Sequence, residues 1–457
     1  MLISFSVSNF RSFGEEQTLN MVASNKLTDH PNHLVPIGKT GKNVLRTAVV
    51  YGANAAGKSN LVRAMAFAQR AILGSERRVT IPNAFRFGSD PKAGSTSFEF
   101  RFLKADRVFV YGFDASMFGF LAEWLCVVDG DDEIVIFERD QDGAARLGPL
   151  AKSRFPDDPT LVETLGALTK LPLRPIQLLL TRAYSLPENV QGITLRSVIK
   201  WLTEDLVILP PNHREFGILD RLSKDVGFFR LAEGFLRSIG TGVASLELQQ
   251  REFEVGELKA ILHPRKLARS KQSERFDEVL RDSEDPTKRI FRRLIAKHSS
   301  GSSVTNLPFS EESDGTKQLL HLMPVLAAFD NEAKVVVIDE LDRSLHPLIC
   351  WEFIRLFSET LPNVPKQLIV TTHEVHLLNQ ELLRRDEYWF VEKDSEQQSR
   401  LVSLSEFQVR KDLQIEKSYL QGRFGAIPVI GSMAELEKLL QTPKCSEAAD
   451  APQETSP

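Results

Sequence analysis

Residues 52–59 read Gly-Ala-Asn-Ala-Ala-Gly-Lys-Ser, a complete G-x-x-x-x-G-K-[ST] pattern, set between the apolar run Thr47 to Tyr51 and a helical stretch, Asn60 to Leu73. A strand, a glycine-bearing turn and a helix in that order place the N–H groups of Ala53 to Lys58 at a helix N-terminus, where they favour an anion. The spacing predicts that these groups wrap a nucleotide's β-phosphate. Lys58 is then expected to reach the β/γ oxygens, and the Ser59 hydroxyl to ligate Mg²⁺. Gly52, Asn54, Gly57 and Asn60 belong to the same expected cradle, and the expected ligand is ATP or GTP.

Far downstream, Lys334-Val335-Val336-Val337-Ile338 forms a short β-branched run ending in Asp339-Glu340. A buried parallel strand that delivers two carboxylates at its C-terminal end is the Walker B arrangement. Asp339 is expected to hold Mg²⁺ and Glu340 to orient or deprotonate the water that attacks the γ-phosphate. Successive strand residues point to opposite sides, which lets the two neighbours take different roles. Alone, the string also fits any strand ending in a solvated turn. Just before it, Glu312-Ser313-Asp314-Gly315-Thr316-Lys317-Gln318 leads into the apolar helix Leu319 to Phe329. Ser313 and Gly315 at that helix start read either as a second anion site or as an N-cap and nothing more.

Phosphate loop, S-D-G-T before a helix, D-E at a strand end, Leu341-Asp342, then a histidine after the strand Gln367 to Thr372: this order resembles the ATP-binding-cassette (ABC) ATPases. The resemblance implies that Ser313 and Gly315 are the signature that completes the partner subunit's nucleotide site. It also implies that Asp342 is the D-loop aspartate and that His373 is the switch histidine at the γ-phosphate. On the residues alone, His373 also fits a surface or capping role. The opening Phe5-Ser6-Val7-Ser8-Asn9-Phe10-Arg11-Ser12-Phe13 resembles the first strand of SMC-type and DNA-repair cassette ATPases. The stretches 338–347 and 419–428 are similar to soluble bacterial ATPases of abortive-infection and anti-phage systems. These include the RloA-like proteins, which are related to the ATPase parts of the Septu, PARIS and overcoming-lysogenization-defect systems. Two departures stand out. No glutamine occupies a convincing Q-loop, since Gln69 falls too early, within the helix after the phosphate loop. The 84 residues beyond His373 (457 minus 373) are too few for an added nuclease domain, so the effector is expected to be a separate toxin or nuclease.

The expected fold is α/β: an ABC-type P-loop ATPase head, with a mixed sheet flanked by helices and an antiparallel β subdomain, plus a compact helical insertion. Residues 1–157 form the first lobe, with short alternating runs over 96–139 as antiparallel strands turning at Asp129-Gly130-Asp131-Asp132. Residues 158–303 form the helical insertion, residues 304–440 the second lobe and residues 441–457 a disordered tail. The gap between Lys58 and Asp339, 281 positions (339 minus 58), is too long for a plain transporter cassette. Leu195 to Leu206 and Phe228 to Ile239 show helical steps without sustained heptads, and Ser299 to Ser303 reads as a linker. The basic runs 265–271 and 288–293 read as a solvated face, with a nucleic-acid backbone or an acidic partner as the alternative. Ser418 to Gly431 reads as a packed cap on the sheet or a docking segment. Lys+Arg 57 against Asp+Glu 61 does not demand nucleic acid, and no window suggests a membrane span. Cys126, Cys350 and Cys445 give neither disulfide framework nor zinc site, which points to a reducing cytoplasm.

The resulting expectation is an Mg²⁺-dependent ATPase that works as a homodimer or higher oligomer sandwiching ATP, and that senses phage infection. Its rivals are a nucleotide-gated DNA-repair or chromosome-maintenance factor, and a scaffold that binds ATP without hydrolysing it.

Overall fold

In the computed structural model the described residues are 1–38, 40–74, 84–87, 94–140, 144–211, 217–254, 276–281, 285, 287–301, 303–327, 333–360, 365–407 and 414–427. The chain opens with β1 (Leu2–Ser8), β2 (Gln17–Asn20) and a hairpin of β3 (Leu34–Pro36) and β4 (Asn43–Leu45). Then come β5 (Thr47–Gly52) and α1 (Lys58–Ile72), the strand and helix on either side of the phosphate loop. Strands β6 (Thr96–Lys104), β7 (Arg107–Ser116), β8 (Gly119–Asp129), β9 (Asp132–Arg139) and β10 (Ala145–Leu147) form the expected antiparallel meander. With β1 and β2 they make a seven-stranded sheet in the order β10-β9-β8-β7-β6-β1-β2. Asp129 pairs with Asp132 across the expected turn.

Short helices follow: α2 (Ala151–Arg154), α3 (Pro159–Leu168), α4 (Leu179–Tyr184), α5 (Glu188–Gln191) and α6 (Ile193–Lys200). A single π-turn at Trp201–Asp205 then feeds β11 (Leu206–Leu209), and α7 (Ile218–Lys224) and α8 (Val226–Ser238) come next. The helical expectation for 158–303 therefore holds only in part. Beyond α8 the chain is sheet: β12 (Val243–Glu254), β13 (Asp277–Arg281), β14 (Lys288–Ser300) and β15 (Ser303–Pro308) pair antiparallel about β14. The reason is visible in the side chains. Leu246 of β12 and Leu294, Ile295 and Ala296 of β14 are buried, a short apolar run set among charged neighbours that shows neither a clean period of two nor a helical one. Ser299 to Ser303, expected as a linker, lies at the β14–β15 hairpin, with Ser300 paired to Ser303.

The last part contributes α9 (Asp314–Leu326), β16 (Lys334–Ile338), α10 (Pro347–Thr360), β17 (Lys366–Thr371), β18 (Tyr388–Lys393), β19 (Ser399–Ser403) and α11 (Ile415–Leu420). The central sheet runs β11-β16-β17-β5-β18-β19 and is parallel except for β19. β11, from the expected insertion, is thus an edge of the nucleotide sheet, because its run Leu-Val-Ile-Leu pairs parallel with β16.

Alternation in the central strands divides the interior into two cores. Ala48, Val50, Val335 and Val337 face a core shared with α1 and the seven-stranded sheet. Val49, Tyr51, Val336 and Ile338 face a second core built with α8, α9, α10 and the β12–β15 sheet. Trp201 at the π-turn is fully buried and stacks on Phe102 at 4.0 Å, which fixes β11 against the first lobe. Residues 418–427 pack as a cap: Tyr419 and Phe424 stack on Phe390 of β18 at 5.6 and 5.3 Å. The expected tail 441–457 and the basic run 265–271 lie outside the described residues.

Candidate nucleotide site

β5 is wholly buried and ends at Gly52, where a Cβ would stand 2.5 Å from the Val391 carbonyl oxygen of the neighbouring strand. Glycine is needed there for close packing. The loop then turns with Ala55 at φ 63° and Gly57 at φ 123°, a conformation that glycine adopts without strain. Ala56 N donates to Ala53 O at 3.1 Å, and α1 begins at Lys58. Asn54 sits exposed at the loop's rim. The Asn60 amide donates to Ser12 Oγ at 2.8 Å, tying α1 to the N-terminal turn.

Lys58 is almost fully buried and directs its ammonium to Gly52 O at 2.7 Å, Ala53 O at 3.3 Å and His373 Nε2 at 3.0 Å. Burial lowers its pKa to about 8, against the opposing pull of Asp342, Asp339 and Glu340. The His373 imidazole is shifted down as well, first by desolvation and then by the adjoining Lys58 charge. The contact is therefore one between an ammonium donor and a neutral ring.

Ser59 Oγ donates to Asp339 Oδ1 at 3.0 Å, bringing together residues 280 positions apart in the chain. A hydroxyl and a carboxylate at one point are hard oxygen donors of the kind Mg²⁺ takes beside a nucleotide's phosphates, so this pair fits the implied metal. Thr371, at the end of β17, donates from Oγ1 to Asp339 Oδ1 at 2.6 Å and accepts from the Glu340 backbone N–H at 2.8 Å. Sequence reasoning passed over it. The signal was the T-T-H ending, in which the first threonine faces the neighbouring Walker B strand. Glu340 itself takes φ 57°, a left-handed conformation uncommon outside glycine. Its partly exposed carboxylate lies 3.9 Å from the Arg343 guanidinium.

Asp342 accepts from the His373 backbone N–H at 3.2 Å, so the segment after Asp339-Glu340, expected as the D-loop, is joined to the segment after β17 within one chain. Ser313 caps α9, its Oγ accepting from Thr316 N at 3.1 Å. A Cβ on Gly315 would lie 2.6 Å from Ser344 O, which places the start of α9 against the end of the D-loop segment. Among the described residues no hydrogen bond joins Ser313 or Gly315 to Lys58, Ser59 or Asp339. Gln69, set aside as a Q-loop candidate, donates to the Leu202 and Leu206 carbonyls at 3.0 and 2.6 Å and holds the π-turn.

The described basic run, 288–293, lies on β14 opposite carboxylates. Arg293 makes a two-pronged pair with Asp277 at 3.0 and 2.8 Å, and Arg292 meets Asp220 at 3.2 Å and Glu278 at 3.4 Å. Lys288 lies 3.6 Å from Glu252. These pairs, across the sheet and to Asp220 of α7, offset the charges of Lys288, Arg292 and Arg293. No helix among the described residues is long and apolar enough to cross a membrane.

Fold and site together define a P-loop ATPase head of the ABC type. The chain belongs to the family described as "AAA domain, putative AbiEii toxin, Type IV TA system", whose model matches residues 48–185 and 247–379. The matched stretches contain the phosphate loop, the signature segment, Asp339-Glu340 and His373. No curated protein matches the chain. Among solved structures it is similar to the Smc head bound to the C-winged helix domain of ScpA, at 14% identity and TM-score 0.43 over 88% of this chain and 97% of that one. It is also similar to the SMC head domain from Thermotoga maritima, at 14% identity and TM-score 0.38 over 88% and 98%. A third is the Smc head domain with an extended coiled coil bound to the C-terminal domain of ScpA derived from Pyrococcus furiosus, at 13% identity and TM-score 0.40 over 89% and 97%.

Proposed function

We propose that this protein is an ATP-hydrolysing switch of a bacterial abortive-infection system, of the RloA-like group, that controls a separate toxin or nuclease in the cytoplasm. The observation that carries the reading is the joining of Ser59, Asp339, Thr371 and Glu340 at the end of the central sheet, beside Lys58 and His373. In the active site Lys58 turns from His373 to the β- and γ-phosphate oxygens of ATP. Ser59 and Asp339 hold Mg²⁺, which supplies neutralising charge on the phosphates. Glu340 takes a proton from the attacking water, whose oxygen bonds to the γ-phosphorus as the bond to the β-γ bridging oxygen breaks. Thr371 keeps Asp339 and the Glu340 backbone in register. Ser313 and Gly315 face the nucleotide of a second copy, so that ATP is both substrate and glue and hydrolysis releases the pair. The ion pairing of Arg292, Arg293 and Lys288 removes the strongest argument for direct action on DNA from this part of the chain.

The test is to express the protein at native level with its genomic neighbours and to compare what copurifies with the wild type, Lys58→Ala and Glu340→Gln. A stoichiometric neighbour-encoded toxin or nuclease whose recovery changes in the variants is expected. Recovery of DNA with no partner protein would overturn the reading.

A further inference from the structure

We propose that Ser399, the first residue of β19, is a positioning residue for the phosphate loop; the inference rests on the nucleotide-site reading above. A loop that gathers N–H groups around an anion must turn its carbonyls outward. Where an outward carbonyl is buried, it needs a donor of its own. Ala56 is such a residue, only 4% exposed, and its carbonyl oxygen accepts from the Ser399 hydroxyl.

The sheet carries Ser399 to that point. Val391 of β18 lies opposite Gly52, and Lys393 of β18 lies opposite Ser399, so one strand spans from the loop's origin to the residue behind it. Ser399 is held in turn: its N–H donates to Ser12 O at 2.7 Å. The preceding turn is closed by Asp394, whose Oδ1 accepts from Glu396 N and Gln398 N, each at 2.9 Å. From the N-terminal side, Ser12 Oγ accepts from the Asn60 amide at 2.8 Å. A Cβ on Gly57 would stand 2.2 Å from Ser399 Oγ and 2.9 Å from Ser12 Oγ. The two serines therefore close on the loop from opposite ends of the chain. Without the Ser399 hydroxyl, the Ala56 carbonyl is buried without a donor and rotates toward whatever donor is near, taking the following N–H groups out of line with the phosphate.

The experiment uses Ser399→Ala and Ser399→Cys in the full chain, with ATP and Mg²⁺ in calorimetric titration and melting measured without nucleotide. The thiol of Ser399→Cys fills the space of the hydroxyl but is a weak donor. Both variants are expected to bind ATP about tenfold more weakly, the cost of a buried acceptor left alone. KM should rise in the same proportion, kcat should be nearly unchanged, and the nucleotide-free melting temperature should be nearly that of the wild type. Wild-type affinity in both variants would overturn the proposal. So would recovery in Ser399→Cys alone, which marks a packing role, or a lowered melting temperature with unaltered affinity. If the wild type itself fails to bind ATP, the nucleotide reading falls first. Binding by the wild type and both variants alike removes only the role given to Ser399.

Discussion

Lys58 is the residue whose surroundings constrain the chemistry most. Its three ammonium protons have three acceptors, Gly52 O, Ala53 O and His373, in a pocket that lowers its pKa to about 8. An unfolded lysine titrates near 10.5. The unfolded chain therefore binds more protons than the folded one between about pH 8 and 10.5, and this group makes stability rise with pH across that window. Below pH 8 its cost is present in full. Binding to phosphate has the opposite dependence, because it needs the ammonium. Titrations with ATP at pH 7 and pH 9 are expected to show weaker binding at pH 9 in the wild type, and a much smaller difference in Lys58→Ala. Equal pH dependence in the two would show that Lys58 is not the group responsible. Lys58, Ser59, Asp339 and Glu340 were all legible in the sequence, because their motifs are local strings with a fixed spacing. Thr371, Ser12 and Ser399 were not. Each acts through a contact with a residue between 32 and 343 positions away, and nothing in its own neighbourhood announces the partner.

At the scale of elements, the parallel strands were readable because β5, β16 and β17 are short apolar runs that end in chemistry-bearing residues. The strands β12 to β14 lie in the stretch read as helical, and β15 begins at its end. Buried Leu294, Ile295 and Ala296 are consecutive rather than alternating, and Arg292, Arg293, Lys297 and Glu247 stand around them in ion pairs. The resulting mixture imitates a solvated helix face. The same sheet gives α9 its place beside the D-loop segment, with Gly315 touching Ser344 O and Ser344 itself at φ 60°. Gly315→Ala adds a methyl 2.6 Å from that backbone oxygen, so α9 must shift. Overpacking of this sort costs about 1–3 kcal/mol. Differential scanning calorimetry is expected to show a melting temperature lowered by several degrees, and the variant should pair less readily with ATP. An unchanged melting temperature would mean that the contact between α9 and Ser344 is looser than the structure has it.

For the whole molecule, the proposed function makes each chain half of a shared site. One chain carries the phosphate loop, Asp339-Glu340 and His373 at the C-terminal ends of inner strands of the central sheet, and it has Ser313 and Gly315 near Ser344 with no hydrogen bond among the described residues to Lys58, Ser59 or Asp339. The proposed sandwich completes each site with a second copy, and hydrolysis then times how long the pair stays together. Sedimentation velocity of Glu340→Gln with ATP and Mg²⁺, with ADP and Mg²⁺, and without nucleotide tests this most directly. The expected result is a dimer that forms with ATP alone, and that does not form when Lys58→Ala is added to the same chain. A single sedimentation coefficient in all three conditions, with each nucleotide at saturation where it is present, would contradict the shared site and the switch built on it.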